Sequence, residues 1–306
     1  MRLTVAICTW NRCELLRQTL GQMTALRIPA GLEWELLVVN NNCTDDTDKV
    51  LADFTARLPL RRLFEPKPGQ SNARNTAVRE STGSYIVWTD DDVLVDPEWL
   101  AAYARAFERW PDASIFGGPI APWWEGTPPQ WLVEALPAVS GALAALDLGP
   151  EPIPLSYQNY PFGANMAFRR DAHLAQPYDP ELGLRPGSAV RGDEMAMIRA
   201  LFSAGRTGWW VPDAKVRHFI PKRRQTLEYL VEYFDGTGRL LGRLTKDRGE
   251  RKLLGRPLWL WREAVESEVR YRVRRWYAGP GVWVWDLRSA REARARLRWY
   301  GDRSPL

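Results

Sequence analysis

The sequence predicts an α/β fold: a mostly parallel central sheet flanked by helices, with a helical C-terminal extension. Three observations carry this. Short β-branched apolar runs alternate with helix-spaced patterns up to residue 92. Polar clusters follow two of those runs directly. Beyond residue 221, apolar residues recur at three- and four-residue spacing among many arginines.

The elements follow in order. Leu3 to Cys8 reads as a buried strand, and Leu15, Leu16, Leu20 and Met23 mark the helix after it. Trp34 to Val39 is a second strand, ending in Asn40-Asn41-Asn42. Thr44 is placed to cap a helix carrying Val50, Leu51 and Phe54. Arg61 to Phe64 reads as a strand, Ser71 to Glu80 as a helix, and Tyr85 to Trp88 as a strand running into Asp90-Asp91-Asp92. In such sheets ligands bind outside the carboxyl ends of the strands, where both polar clusters lie. Residues 119–161, rich in Pro, Trp and Gly, read as an excursion that supplies binding loops. Phe162 to Arg169 and Val211 to His218 return to strand patterns, with a helix over Gly192 to Ala204 between them. Farther on, Leu227, Leu230, Val231 and Phe234 form one helical stripe. Trp261, Val265, Val269, Val273 and Trp276 form another, flanked by Arg262, Arg270, Arg274 and Arg275.

Composition narrows the class. With 45% apolar and 26% charged residues, the 306-residue chain is neither disordered, collagenous nor a coiled coil as a whole. No run of 18 apolar residues predicts a spanning helix, and the N-terminus opens on a strand pattern without a secretory h-region. Cys8, Cys13 and Cys43 give no disulfide framework, which suits a reducing, cytoplasmic compartment. His173 and His218 do not supply a zinc set. The net charge of +5 is uneven. Residues 222–306 hold 21 of the 42 Lys+Arg but only 11 of the 37 Asp+Glu, together with six of the 16 tryptophans. A basic end on an acidic body points to an anionic partner for that end.

Four constellations carry chemistry. Asp90 and Asp92 project to the same side of an extended chain, an arrangement suited to a hard divalent cation bridging phosphates. The competing reading is a solvated acidic loop. Gln70 to Asn75 opens a helix after Pro68-Gly69, where Arg74 and the helix N-terminus favour an anion; a surface arginine on an ordinary first turn explains it equally well. Asp193-Glu194 follows the Pro186-Gly187-Ser188 loop, offering either a general base or plain helix capping. His218 can complete a metal shell begun by aspartates, although a lone histidine is more often structural.

Taken in order, these motifs resemble the inverting, GT-A-fold glycosyltransferases of family 2. The resemblance covers residues 3–221. It runs through Val5-Ala6-Ile7-Cys8-Thr9-Trp10-Asn11-Arg12, Val38-Val39-Asn40-Asn41-Asn42-Cys43-Thr44-Asp45, Ala73-Arg74-Asn75, Gly83 to Asp92, Gly163-Ala164-Asn165-Met166-Ala167-Phe168-Arg169-Arg170, and Gly192-Asp193-Glu194. It implies a catalytic domain over 1–221, with a nucleotide-sugar-binding half (1–118) and an acceptor-side half (119–221), and a basic, Trp-rich helical region over 222–306.

The resemblance also implies roles. Thr9, Asn11, Arg12, Asn40, Asn42, Arg74, Asp90, Asp91 and Asn165 would serve the nucleotide sugar. Asp92, Asp90 and His218 would hold Mn²⁺ or Mg²⁺. Glu194 would be the catalytic base, with Asp193 its competitor because the usual order of the pair is swapped. Asn40 stands where the family commonly has an aspartate that accepts from the nucleotide base; its amide oxygen can still accept a uracil N–H, but the departure leaves the base open, with a UDP-sugar as the expected donor. The Gln-x-x-Arg-Trp motif of processive synthases is missing, which implies transfer of one sugar per event, in cell-surface polysaccharide or glycolipid synthesis.

Trp123, Trp124 and Trp131 are candidates for stacking on an acceptor sugar, against the commoner packing role. The acceptor is a saccharide, lipid-linked or other hydroxyl. For residues 222–306 the sequence leaves two readings open: an anionic membrane surface at the inner face, or a cap over the catalytic domain. Competing functions are a sugar-nucleotide nucleotidyltransferase, a catalytically impaired nucleotide-sugar-binding relative and a nucleic-acid-binding module. The first lacks its glycine-rich basic loop after the first strand, and the last leaves the acidic triplet unexplained.

Overall fold

The computed structural model describes residues 1–183, 192–247 and 249–302. The chain divides into two compact units, Met1–Pro122 with Ala144–Phe219, and Trp123–Leu143 with Ile220–Leu306.

The first unit begins with β1 (Arg2–Thr9), α1 (Cys13–Met23), β2 (Glu33–Asn40), α2 (Thr47–Phe54), β3 (Leu60–Phe64), α3 (Gln70–Glu80) and β4 (Tyr85–Trp88). It continues through β5 (Val93–Val95), α4 (Trp99–Arg109), β6 (Ile115–Gly117) and β7 (Ile120–Trp124), whose last residues belong to the second unit. In the second unit lie α5 (Gln130–Glu134) and α6 (Leu136–Val139). The chain then returns through β8 (Met166–Arg169), α7 (Arg170–Ala175), α8 (Asp193–Ser203), β9 (Gly208–Trp210) and β10 (Val216–Ile220). The second unit is completed by α9 (Leu227–Leu244), the short β11 (Lys252–Leu253) and β12 (Arg256–Pro257), α10 (Leu258–Arg274) and α11 (Pro280–Arg298).

A seven-stranded sheet in the order β3-β2-β1-β4-β8-β6-β9 forms the first unit's centre. Its pairings are parallel except at β8, which runs against both β4 and β6. Successive side chains of β1 enter opposite layers. Val5 and Ile7 pack with Leu16, Leu20, Val50, Phe54 and Trp99. Ala6 packs with Ala73, Ala77, Ile198 and Leu201. Burial on both faces is why these strands read as continuous apolar runs rather than alternating ones.

A small sheet, β5-β10-β7, sits beside the triplet that ends β4. Val93 pairs with His218 across β5 and β10, and Phe219 donates its N–H to the Asp92 carbonyl at 2.9 Å. This pairing brings a histidine more than 120 residues away in sequence to the triplet.

Four local expectations are corrected. α2 starts at Thr47, and Asp45, not Thr44, accepts from its first N–H at 3.2 Å. Thr44 instead donates its N–H to Asn11 Oδ1. Gly163–Asn165 form a 3₁₀ turn, so β8 begins only at Met166. A turn at Val211 to Ala214, around Pro212, delays β10 to Val216. Residues 119–161 include β7, α5 and α6, not loops alone. The Pro186-Gly187-Ser188 loop lies outside the described residues.

In the second unit, Leu132, Val139, Leu143, Ile220, Leu230, Phe234 and Val284 make one apolar core. α9 approaches α11 closely at Gly238 and Gly242, where a Cβ would meet the Glu292 and Arg296 carbonyls at 2.4 and 2.7 Å. Among the described residues no helix is long and apolar enough to cross a membrane.

Candidate active site

The first cluster is built from the loops that follow β1 and β4, together with strand β10. Asp90, Asp92 and His218 each offer one ligand atom, all within 4.8 Å of one another. His218 Nε2 lies 3.5 Å from Asp92 Oδ1. Two donors bound to one divalent ion at about 2.2 Å each stand at most ~4.4 Å apart. The set therefore fits such an ion with small side-chain adjustments, and two hard carboxylates with one imidazole suit Mn²⁺ or Mg²⁺.

Arg12 binds the same cluster. Its Nη1 donates to Asp92 Oδ2 at 2.8 Å and to Asp91 Oδ1 at 3.1 Å. The neighbouring Asp91 and Asp92 carboxylates raise the Arg12 pKa further. Asp91 is buried, accepts from the Thr9 hydroxyl at 2.8 Å, and its carbonyl accepts from Thr19 Oγ1. Burial pushes Asp91 up to about 7 against the pull of Arg12. Thr9 and Asp91 thus tie the ends of β1 and β4 together, and Arg12 covers the triplet.

The second cluster joins α3 to α8. Arg74 is buried, with Nη1 donating to Asp193 Oδ2 at 2.8 Å and Nη2 to Glu194 Oε1 at 2.5 Å. Glu194 Oε2 accepts the Gly163 N–H at 3.1 Å. A Cβ on Gly163 would fall 2.0 Å from Glu194 Oε1 and 2.6 Å from Arg74 Nη2, so this approach requires glycine. Burial pushes the Glu194 pKa up; Arg74 opposes this, while Asp193 and Asp90 add to it. The influence of Asp90 links the two clusters electrostatically. The Asp193 side chain is 6% exposed and that of Glu194 28%. Of the two side chains, that of Glu194 is the more exposed.

Arg74 was expected at the base or diphosphate; its guanidinium is instead engaged by the two carboxylates, beneath the Tyr178 ring at 5.2 Å. Asn165 is corrected from ligand contact to structural junction. Its Oδ1 accepts from Trp99 Nε1 and Tyr103 OH, each at 2.8 Å, and its Nδ2 donates to the Pro119 and Ala214 carbonyls. All four positions of the amide are filled.

The asparagines organise the loop after β2. Asn40 Oδ1 accepts the Cys43 N–H and its Nδ2 donates to Asp48. Asn42, at φ +63°, donates to the Glu65 and Pro66 carbonyls. Asn11, at φ +53°, accepts from Thr44. Asn41 was not singled out from sequence. It donates to the Glu65 and Lys67 carbonyls and accepts the Gly69 N–H, fixing the approach to α3. Its place inside the Asn40 to Asn42 run was the one available signal. Trp124 and Trp131 pack against the second unit's core, and Trp131 lies 6.1 Å from the Trp283 ring. Trp123, in the same unit, is half-buried.

Comparison with known proteins bears on the sequence and the fold. Residues 4–142 match the family model described as Glycosyl transferase family 2. The succinoglycan biosynthesis protein ExoM of Rhizobium meliloti is 24% identical over 264 residues, covering 81% of this chain and 76% of the relative. Validoxylamine A glucosyltransferase of Streptomyces hygroscopicus subsp. jinggangensis is 32% identical over 106 residues, 34% of this chain and 25% of that protein.

Among solved structures, the mannosyltransferase PcManGT of Pyrobaculum calidifontis, in complex with GDP-Man and Mn²⁺, superposes with a TM-score of 0.61 at 18% identity, covering 97% of this chain and 87% of that one. S. aureus TarS 1-349 with UDP-GlcNAc gives 0.52 at 18% identity, over 90% and 73%. The parallel sheet, the acidic strand end and these matches converge: the chain has the GT-A fold, and its residues 4–142 are similar to the glycosyltransferases of family 2.

Proposed function

We propose that this chain transfers one sugar per event from a nucleoside-diphosphate sugar to an acceptor hydroxyl, with inversion at the anomeric carbon. The acceptor class proposed is a saccharide or a lipid-linked saccharide, as in cell-surface polysaccharide synthesis. The observation that carries the reading is a cluster able to hold a cation, Asp90, Asp92 and His218, in electrostatic reach of Glu194, whose side chain is partly exposed.

Asp90, Asp92 and His218 would hold the divalent ion, which supplies positive charge to the diphosphate that leaves. Glu194 accepts the acceptor's proton as its oxygen attacks the anomeric carbon. Burial raises the Glu194 pKa and makes it a stronger base once ionised, while Arg74 favours its charged form. Arg74 and the Gly163 N–H hold one oxygen each, which fixes the carboxylate's plane. Asp193, less exposed and also bound to Arg74, serves as the positioning partner. Attack opposite the leaving group gives inversion in one displacement. A known solved structure of this fold holds GDP-Man and another holds UDP-GlcNAc. The Asn40 oxygen that would accept from uracil already accepts from Cys43. The donor screen therefore spans uridine and guanosine diphosphate sugars.

The test is release of nucleoside diphosphate across that panel with Mn²⁺ or Mg²⁺, followed by NMR assignment of the product anomer. Release from one donor, lost with chelator and in Asp92→Asn, with an inverted product, is expected. A retained anomer, or undiminished release with chelator, would overturn the mechanism.

A further inference from the structure

Helix α10 is built the opposite way from a core helix. Its inner side buries Leu260 and Ser267. Its outer side leaves Val265, Val269 and Val273 exposed at 58, 54 and 53%, and the turn that follows leaves Trp276 at 82% and Tyr277 at 73%. At about 100° per residue, the three valines and Trp276 share an arc of roughly 80°, opposite Ser267. The stripe legible in the sequence is real, but it faces away from the unit's own core.

The charge around this face is basic. Arg262 and Arg272 flank it. Arg270 and Arg274 reach Asp286 on α11 at 2.9 and 3.7 Å, which anchors the helix. The Arg275 guanidinium lies 5.5 Å from the Trp276 ring centre. Each glutamate of α10 already has an arginine partner: Glu263 with Arg296, Glu266 with Arg262 and Glu268 with Arg272. These pairs also engage Arg262 and Arg272, so the basic surplus at this face comes from Arg275 and from Arg270 and Arg274 sharing the single Asp286. Residues 222–306 keep a surplus of basic over acidic residues, 21 against 11.

We propose that the outer face of α10, continued by Trp276 and Tyr277, is a docking surface for an anionic lipid bilayer. The helix would lie in the plane of the interface. The valines would enter the acyl boundary, Trp276 and Tyr277 would sit at headgroup depth, and Arg275, beside the Trp276 ring, would lie among the phosphates. Net charge favours this occupant over a second copy of the chain. Residues 258–277 hold five arginines against three glutamates, so a second copy would bring a like net charge, whereas anionic lipid brings the opposite one. The proposal stands on the second unit alone and does not depend on the transfer reaction.

The test is co-sedimentation of the full chain with phosphatidylcholine vesicles, with and without phosphatidylglycerol, alongside gel filtration of the lipid-free protein. Binding is expected only with phosphatidylglycerol, falling steeply as salt rises. Val269→Ser combined with Trp276→Ser should reduce the bound fraction about tenfold, as should Arg272→Glu with Arg275→Glu, each with unchanged circular dichroism. Wild-type protein left in the supernatant with anionic vesicles would overturn the proposal. So would a dimer in gel filtration that the Val269→Ser, Trp276→Ser variant converts to monomer, since that assigns the face to a second copy.

Discussion

Arg74 and Glu194 stand 120 residues apart in sequence and meet at 2.5 Å, guanidinium to carboxylate, inside the first unit. The contact sets the protonation of the proposed base. Arg74 favours the charged form of Glu194, while burial favours the neutral one. The acid limb of the kcat/KM profile should therefore lie above the ordinary glutamate value of 4.5, because Glu194 must lose its proton to act. Replacing Arg74 with Gln removes the opposing charge, so this limb should move to higher pH by about one unit or more. Arg74→Lys should restore part of the shift. A profile that does not move in Arg74→Gln contradicts this role.

Arg12 occupies one oxygen of Asp92 at 2.8 Å. A divalent ion at Asp92 meets both a competitor for that oxygen and a like charge, worth several kcal/mol at an effective dielectric near 20, before solvent screening. Arg12 is partly exposed, so the screened effect is smaller. Arg12→Gln should tighten Mn²⁺ binding in the absence of nucleotide by roughly five- to tenfold. Calorimetric titration of Mn²⁺ measures this directly, and equal or weaker binding in the variant would remove Arg12 as the competitor.

Asn165 joins the elements behind the site. Asn165→Ala strands the Trp99 and Tyr103 donors and two carbonyls in the core, at a cost of about 4 kcal/mol. The denaturation midpoint should fall clearly. Nucleotide affinity, measured where the variant is still folded, should change less than about twofold, since a filled amide has nothing left for a ligand. A selective loss of affinity at unchanged stability would return Asn165 to the ligand.

Gly163 offers the reverse separation. A methyl there meets Glu194 Oε1 and Arg74 Nη2, both side-chain ends, so the fold yields but the carboxylate moves. Gly163→Ala should lower kcat by roughly 100-fold, since small displacements of reacting groups are costly, with only a modest fall in Tm. Full activity would show that the orientation of Glu194 is not critical.

The strands and their polar ends were legible because two-sided burial writes continuous apolar runs and because ligand sites in such sheets follow strand ends. Asp90 and Asp92 stood out this way as candidate ligands, and His218 by its place after an alternating run; the structure brings one ligand atom of each within 4.8 Å of the others. What the residues alone did not reveal was how side chains are spent. Arg74 pairs with a helix 119 residues away, and Asn165 is filled by groups from three other segments, contacts that leave no local pattern. The stripe on α10 was legible, but periodicity fixes only that a face exists, not which way it turns. Its outward direction comes from Leu260 and Ser267 being the side that packs.

The most direct measurement compares nucleoside diphosphate release by wild type, Glu194→Gln and Asp193→Asn with the donor that the wild type uses. Mn²⁺ binding is measured on each sample. If Glu194 is the base, Glu194→Gln should lose roughly 10²- to 10⁴-fold in rate with Mn²⁺ binding intact, and Asp193→Asn should lose less. Near wild-type turnover by Glu194→Gln, with the loss falling on Asp193→Asn, would contradict the assignment and move the base to Asp193.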